Sequence, residues 1–132
     1  MSQSFGVAVK ALIQNVEGKF LILFKSESEE VNPHDFDIPG GRVQRSEKLE
    51  EAVMREVKEE CWLMVEVEKL SRVWSFVKED LHLVGITFVV KCEEGGEIVL
   101  SNEHTNYFWK SKEEILEGNF PKWLKEEVEI CV

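Results

Sequence analysis

The sequence predicts a mixed α/β (α+β) domain, a β-sheet sandwiched by helices. Three observations carry that expectation: several short segments rich in β-branched and aromatic residues, one unbroken run of strong helix formers in mid-chain, and a second helical stretch near the C-terminal end. A chain of 132 residues with 43% hydrophobic content supplies one core without disulfides, so residues 1–132 are expected to form a single domain.

The elements follow in order. Val7, Val9, Ala11 and Ile13 alternate with other residues, Asn15 to Lys19 carries turn chemistry around Gly18, and Phe20 to Phe24 is strand-like, which together predict a hairpin. Ser26 to Asp35 is polar and interrupted by Pro33, an exposed loop leading to Phe36-Asp37-Ile38 and then Pro39-Gly40-Gly41. From Glu47 to Cys61 there is no Gly or Pro, and Ser46 is placed to cap the helix start. Val65 to Phe76 and Leu81 to Cys92 are rich in Val, Ile, Phe and Trp, with a turn expected at Lys78-Glu79-Asp80. Gly95-Gly96 breaks the chain before Ile98-Val99-Leu100, and Tyr107 to Trp109 reads as a last short strand. Lys112 to Leu116 is helical, and Pro121 suits the first turn of a C-terminal helix over Lys122 to Ile130.

Composition narrows the function. A formal net charge of -10 repels polyanions, which argues against nucleic-acid binding and means that a phosphate ligand needs local help such as a cation. Cys61, Cys92 and Cys131 are odd in number and form no CxxC pair, so neither a disulfide framework nor a zinc site is signalled. The first residues lack signal-peptide features and no apolar run is long enough for a bilayer, so a soluble, cytoplasmic protein without membrane partners is expected.

The central helix is unusual in where its acids point. Glu47 to Glu60 contains six glutamates, which by itself describes a solvated helix face. With Glu56 at zero and roughly 100° per residue, Leu49, Val53, Val57 and Cys61 fall at about 20°, 60°, 100° and 140°. Glu60 lies at about 40°, between Leu49 and Val53, while Lys48, Glu51, Arg55 and Lys58 occupy roughly 200° to 280°. The apolar stripe therefore turns acidic in the second half of the helix, with Glu56, Glu59 and Glu60 on one side. Carboxylates turned toward a partly buried region repel and lose solvation unless a divalent cation sits among them. Oxygen-only ligands point to magnesium, manganese or calcium and not to zinc, and magnesium also bridges an acidic protein to a phosphate. Gly40 and Gly41, at the mouth of the helix, give a backbone that can approach a substrate or turn a carbonyl toward a metal. His34, in the preceding loop, is a candidate for substrate contact. His82 and His104 are expected to be structural or at the surface, and Phe36, Trp74, Phe76, Tyr107, Phe108 and Trp109 to be core or to stack on a base.

Gly41, five residues, Glu47, seven residues, then Arg55-Glu56-Val57-Lys58-Glu59-Glu60-Cys61-Trp62-Leu63 resembles the Nudix box of MutT-type hydrolases. The resemblance implies an α/β/α sandwich with a mixed β-sheet, a catalytic loop and helix, and a C-terminal helix. It also implies Mg2+-dependent (or Mn2+-dependent) hydrolysis of a diphosphate linkage in a nucleoside diphosphate joined to another group. The substrate is then a small nucleotide, acted on by a monomer or homodimer. By the same resemblance Glu56, Glu59 and Glu60 are metal ligands, Glu56 is also a candidate for activating water, and Arg55 and Glu47 orient the loop and helix. A Gly40 or Gly41 carbonyl completes the metal shell, and Glu103, in Leu100-Ser101-Asn102-Glu103-His104, supplies a further metal-binding or base carboxylate. The family usually has glycine where this chain has Trp62, which is expected to be a core or interface residue. The alternative reading is a catalytically impaired nucleotide- or metal-binding module; an EF-hand loop pattern is absent.

Overall fold

The computed structural model describes residues 4–27, 35–92 and 96–131. Alternation along the first strand, β1 (Ser4–Gln14), sends Val9, Ala11 and Ile13 to one face and Leu12 to the other. The turn after it is held by Asn15, whose Oδ1 accepts the Lys19 N–H at 2.9 Å, with Gly18 at φ 78°. The chain returns as β2 (Phe20–Lys25), paired antiparallel to β1 at Gln14 and Phe20. Two short strands follow. β3 (Phe36–Asp37) pairs with β2, and β4 (Gly40–Arg42) pairs with β1, placing Gly40 opposite Lys10 and Gly41 opposite Val9.

The central helix is α1 (Leu49–Cys61). It starts two residues later than the sequence suggests, and Ser46 does not cap it. Ser46 takes φ 68°, and Glu47 stays in the loop because its carboxylate accepts the Gln44 N–H at 2.9 Å and holds Arg55. The helix N-terminus is closed by Glu51, which accepts the Lys48 N–H at 3.1 Å.

After α1, β5 (Val65–Lys78) and β6 (Leu81–Cys92) form the expected hairpin, with Glu79 at φ 54° in its turn. β6 runs parallel to β1 along its whole length, so the sheet is mixed, in the order β3-β2-β1-β6-β5. Residues 96–100 form no strand; Val99 instead donates its N–H to the Cys61 carbonyl at 3.0 Å. β7 (His104–Lys110) pairs antiparallel with β2, followed by α2 (Lys112–Glu117) and α3 (Lys122–Ile130).

Two cores result, one on each face of the sheet. Val9, Ile13, Leu21, Leu23, Ile86 and Val90 pack with Ala52, Val53, Val57 and Cys61 of α1. Leu12, Ile22, Ile38 and Val89 pack with Ile115, Leu124 and Val128 of α2 and α3. Each buried Val, Leu or Ile among them contributes about 1.5 to 3 kcal/mol by leaving water. The packing thus fixes α1 against the first face and leaves the second half of its stripe beside β4. Cys61, Cys92 and Cys131 are free and buried, and no described helix is long and apolar enough to cross a membrane.

Trp62 is neither core nor buried. It is 65% exposed and occupies the left-handed cap position after α1 at φ 61°, with the Lys58 ammonium 5.9 Å from its ring. The requirement at this position is a left-handed backbone, so the tight helix exit forms with Trp62 in place of glycine and the ring is turned out to solvent.

Candidate active site

The register of β4 on β1 brings the glycine pair against α1. A side chain at Gly40 would run into the Val9 carbonyl, and a Cβ at Gly41 would stand 2.6 Å from the Glu56 carboxylate. Glycine is therefore needed here for close approach. It lets the Gly40 N–H donate to Glu60 Oε2 at 2.9 Å, which ties loop to helix across twenty residues.

Arg55 organises the outer side. Its guanidinium grips Glu47 with two bonds, Nε to Oε2 at 2.6 Å and Nη2 to Oε1 at 3.0 Å. Nη2 also donates to the Arg42 carbonyl at 3.1 Å. Nη1 reaches Glu56 Oε1 at 2.9 Å and Glu59 Oε2 at 3.2 Å. The planar fork suits this bidentate hold, which a point-charge ammonium could not reproduce. The hydrogen bonds from Arg55, with that from the Gln44 N–H, pull the Glu47 carboxyl down to about 2.

Glu60 lies deeper, at 3% exposure. Burial pushes its carboxyl up to about 9; Lys10 and the Gly40 N–H oppose the shift, and the charges of Asp37 and Glu103 add to it. Burial also raises Glu56, against the pull of Arg55. Behind them is a buried polar chain. Lys10 Nζ donates to Asp37 Oδ1 at 3.0 Å and to the Ile38 carbonyl at 3.1 Å. Asp37 Oδ2 lies 3.0 Å from His104 Nε2, and His104 Nδ1 lies 3.7 Å from Glu60 Oε1. Burial alone would raise Asp37, but Lys10 and His104 together hold it well below the usual carboxylate range.

Glu47, Arg55, Glu56, Glu60, Gly40 and Gly41 are thus brought together as the sequence suggested, and Glu103, although exposed, sets a carboxylate oxygen within 4.8 Å of ligand atoms of Glu60 and His104. Glu59 sits at the rim, 57% exposed, and shares Arg55. His34 lies outside the described residues. Sequence reasoning missed Lys10, Asp37 and His104. His104, expected to be structural or at the surface, has a side chain only 1% exposed inside the polar chain. A signal was present for Lys10, a lone charge in the apolar run Val7 to Ile13.

A cavity of about 410 Å³ runs from Lys10 and Asp37, members of the polar chain beside Glu60, to Arg72 and Glu127, with Phe36 and Trp74 in its lining. Trp74 lies flat over Gly85, where any side chain would meet its ring, and donates Nε1–H to Thr87 Oγ1 at 3.0 Å. Thr87 in turn donates to Glu127 Oε2 at 2.6 Å, leaving Oε1 to Arg72 Nε at 3.2 Å. Phe76 and Trp123 also line the cavity; Tyr107, Phe108 and Trp109 do not.

The oxygen donors around Glu56 and Glu60 fit a hard divalent ion, since a second positive charge there would offset the repulsion and lost solvation of these carboxylates. Comparison with known proteins shows the family. The family model described as NUDIX domain matches residues 4–129. An ADP-ribose pyrophosphatase of Methanocaldococcus jannaschii is 36% identical over 96 residues, 70% of this chain and 53% of that protein, so the match spans about half of the relative's length. The nucleoside triphosphatase NudI of Escherichia coli O17:K52:H18 is 26% identical over 118 residues, 80% of this chain and 81% of that one. The crystal structure of a MutT protein from Methanosarcina mazei Go1 superposes with a TM-score of 0.86 at 32% identity, covering 98% of this chain and 94% of that one.

Proposed function

The chain belongs to the NUDIX domain family, and from that premise we propose that it is a Mg2+- or Mn2+-dependent hydrolase of a diphosphate linkage in a small nucleotide-type substrate. The observation that carries the reading is the pairing of Glu60 with the Gly40 N–H and the close approach of Glu56 to the bare Gly41 backbone, which lines the junction of loop and helix with carboxylates instead of cations.

Glu56, Glu59 and Glu60 would hold the metal, with the Gly41 carbonyl and Glu103. When bound, the ion supplies charge neutralisation at the diphosphate oxygens and a more acidic water. The protein's own groups do the rest. Glu56 accepts the proton of the attacking water. Arg55, locked on Glu47, keeps the Glu56 carboxylate facing Gly41. Lys10 holds Asp37, and the buried chain through His104 fixes the floor beneath Glu60. Positioning and electrostatics then account for most of the rate, as in phosphoryl transfer generally. The cavity bounded by Trp74 takes the group beyond the phosphates, its size being that of a ligand pocket. Relatives named for ADP-ribose and for nucleoside triphosphates support a nucleoside diphosphate core and leave the attached group to experiment.

The test is a panel of nucleoside triphosphates, ADP-ribose, nucleotide sugars and dinucleoside polyphosphates, assayed for released monophosphate with Mg2+, with Mn2+ and in excess chelator. Metal-dependent release is expected; equal turnover in chelator refutes the metal mechanism. Metal-dependent binding of a panel member with no turnover of any would make the chain a binding module instead.

A further inference from the structure

His104 is placed as no structural histidine needs to be. We propose that His104 Nδ1 is a metal ligand, completing with Glu60 and Glu103 a mixed nitrogen and oxygen centre that takes Mn2+ or a similar transition-metal ion more tightly than Mg2+. The inference rests on the reading that this centre binds a divalent ion and goes beyond it by naming a nitrogen donor.

The ring's orientation is determined from behind. Asp37 Oδ1 is occupied by Lys10, and Oδ2 faces His104 Nε2 at 3.0 Å. A carboxylate only accepts, so Nε2 carries the proton and, in the neutral ring, Nδ1 presents its lone pair. This is the carboxylate–histidine arrangement that orients metal-bound imidazoles. Nδ1 is buried and has no hydrogen-bond partner. An orphaned buried nitrogen is costly unless something meets it. What it faces is Glu60 Oε1 at 3.7 Å, the second oxygen of a carboxylate whose Oε2 accepts the Gly40 N–H. That separation is too long for a hydrogen bond and too short to admit a bridging water. It is less than twice a metal–ligand distance of about 2.1 Å, as expected of two donors to one ion.

The third donor, Glu103, has an oxygen within 4.8 Å of the other two ligand atoms and opens the centre to solvent. The backbone holds these donors together without help from an ion. The Ser101 N–H donates to the Glu60 carbonyl at 3.1 Å, the His104 N–H to the Ser101 carbonyl at 3.4 Å, and the Ser26 N–H to the Glu103 carbonyl at 2.9 Å. The segment carrying Glu103 and His104 is thereby hung from the last turn of α1. One imidazole among carboxylates raises affinity for transition metals more than for magnesium, which prefers oxygen and water.

The experiment is pulsed electron paramagnetic resonance of the Mn2+-loaded protein. A His34→Gln/His82→Gln variant leaves His104 as the single histidine, so imidazole nitrogen modulation on the Mn2+ signal must come from it, and 15N-histidine labelling must change that modulation from a 14N to a 15N pattern. His104→Gln should abolish it and weaken Mn2+ binding by about tenfold or more, with Mg2+ affinity changed far less. Stoichiometric Mn2+ with no nitrogen modulation in the single-histidine protein overturns the proposal while leaving metal-dependent hydrolysis intact. Failure to bind Mn2+ or Mg2+ at millimolar concentration overturns both.

Discussion

Replacing Trp62 by glycine and, separately, by alanine isolates the energetics of the helix exit. Trp62 holds φ 61° with its ring 65% exposed, so its backbone is strained and its side chain buries little. A left-handed conformation costs an L-residue about 1 to 2 kcal/mol, and glycine nothing. Glycine gives back about 0.5 to 1 kcal/mol through the greater freedom of the unfolded chain. Loss of the Lys58 contact costs about 0.5 kcal/mol more at an exposed site. Trp62→Gly is therefore expected to lie between about 0.5 kcal/mol less and about 1 kcal/mol more stable than the parent. Trp62→Ala loses the same ring and keeps the strain, so it should fall below the parent. Comparing the two variants cancels the ring contacts, and glycine should exceed alanine by about 1 kcal/mol, or about 3 to 4 °C in Tm for a domain of this size. Chemical denaturation of the metal-free protein, with unchanged m values, is the assay. An alanine variant as stable as the glycine variant would show that the exit is unstrained and that this account of Trp62 is wrong.

Five further outcomes are expected. Glu60→Gln keeps shape and removes charge, so metal-dependent turnover should largely vanish and the Tm rise on adding Mg2+ should shrink, with Lys58→Gln as the outward-facing control. In metal-free wild type, Glu60 keeps in the folded state a proton that the unfolded chain releases near 4.5, so its contribution to stability is complete below that pH and is lost as pH rises toward about 9. Glu60→Gln should flatten that decline in a Tm-versus-pH series. Gly41→Ala places a methyl 2.6 Å from the Glu56 carboxylate, so kcat should drop by about a hundredfold with the far-ultraviolet dichroism unchanged. Arg55→Lys preserves charge without the two-bond grip on Glu47 and should lower kcat by about tenfold with little change in KM. Trp74→Leu should raise KM for nucleotide substrates by about tenfold at nearly constant kcat, whereas an unaltered KM would take the cavity out of substrate binding.

Periodicity made much of this molecule legible. The alternation in Val9, Ala11 and Ile13 separates the two faces of β1, and the phase that puts Glu60 between Leu49 and Val53 corresponds to a carboxylate 3% exposed beside the core. The Glu47–Arg55 pair was anticipated by the resemblance alone, and the structure forms it between loop and helix. What escaped depends on register between distant segments. Lys10, Asp37 and His104 come from β1, β3 and β7, and no local pattern states that Oδ1 and Oδ2 of one aspartate will bind the first and the last of them. The start of α1 was misplaced for a related reason: Ser46 is a good cap by type, but Glu47 gains more from Arg55 and Gln44 than the helix gains from an earlier first turn.

The two sides of the site divide the work. Around Arg55, at the edge of solvent, the acids are paired, and the Glu47 carboxyl is held near 2. Around Glu60 burial dominates, and the same residue type is driven up to about 9. Glu47 in the loop and Glu60 in the last turn of α1 therefore sit in opposed electrostatic environments, the one paired at the edge of solvent and the other buried beside the core. An all-paired cluster would have no unmet charge to offer a cation, and an all-buried one would remain protonated and fail to assemble. Pairing on the outside keeps the loop in place, and destabilised carboxylates on the inside supply the affinity that a divalent ion can release.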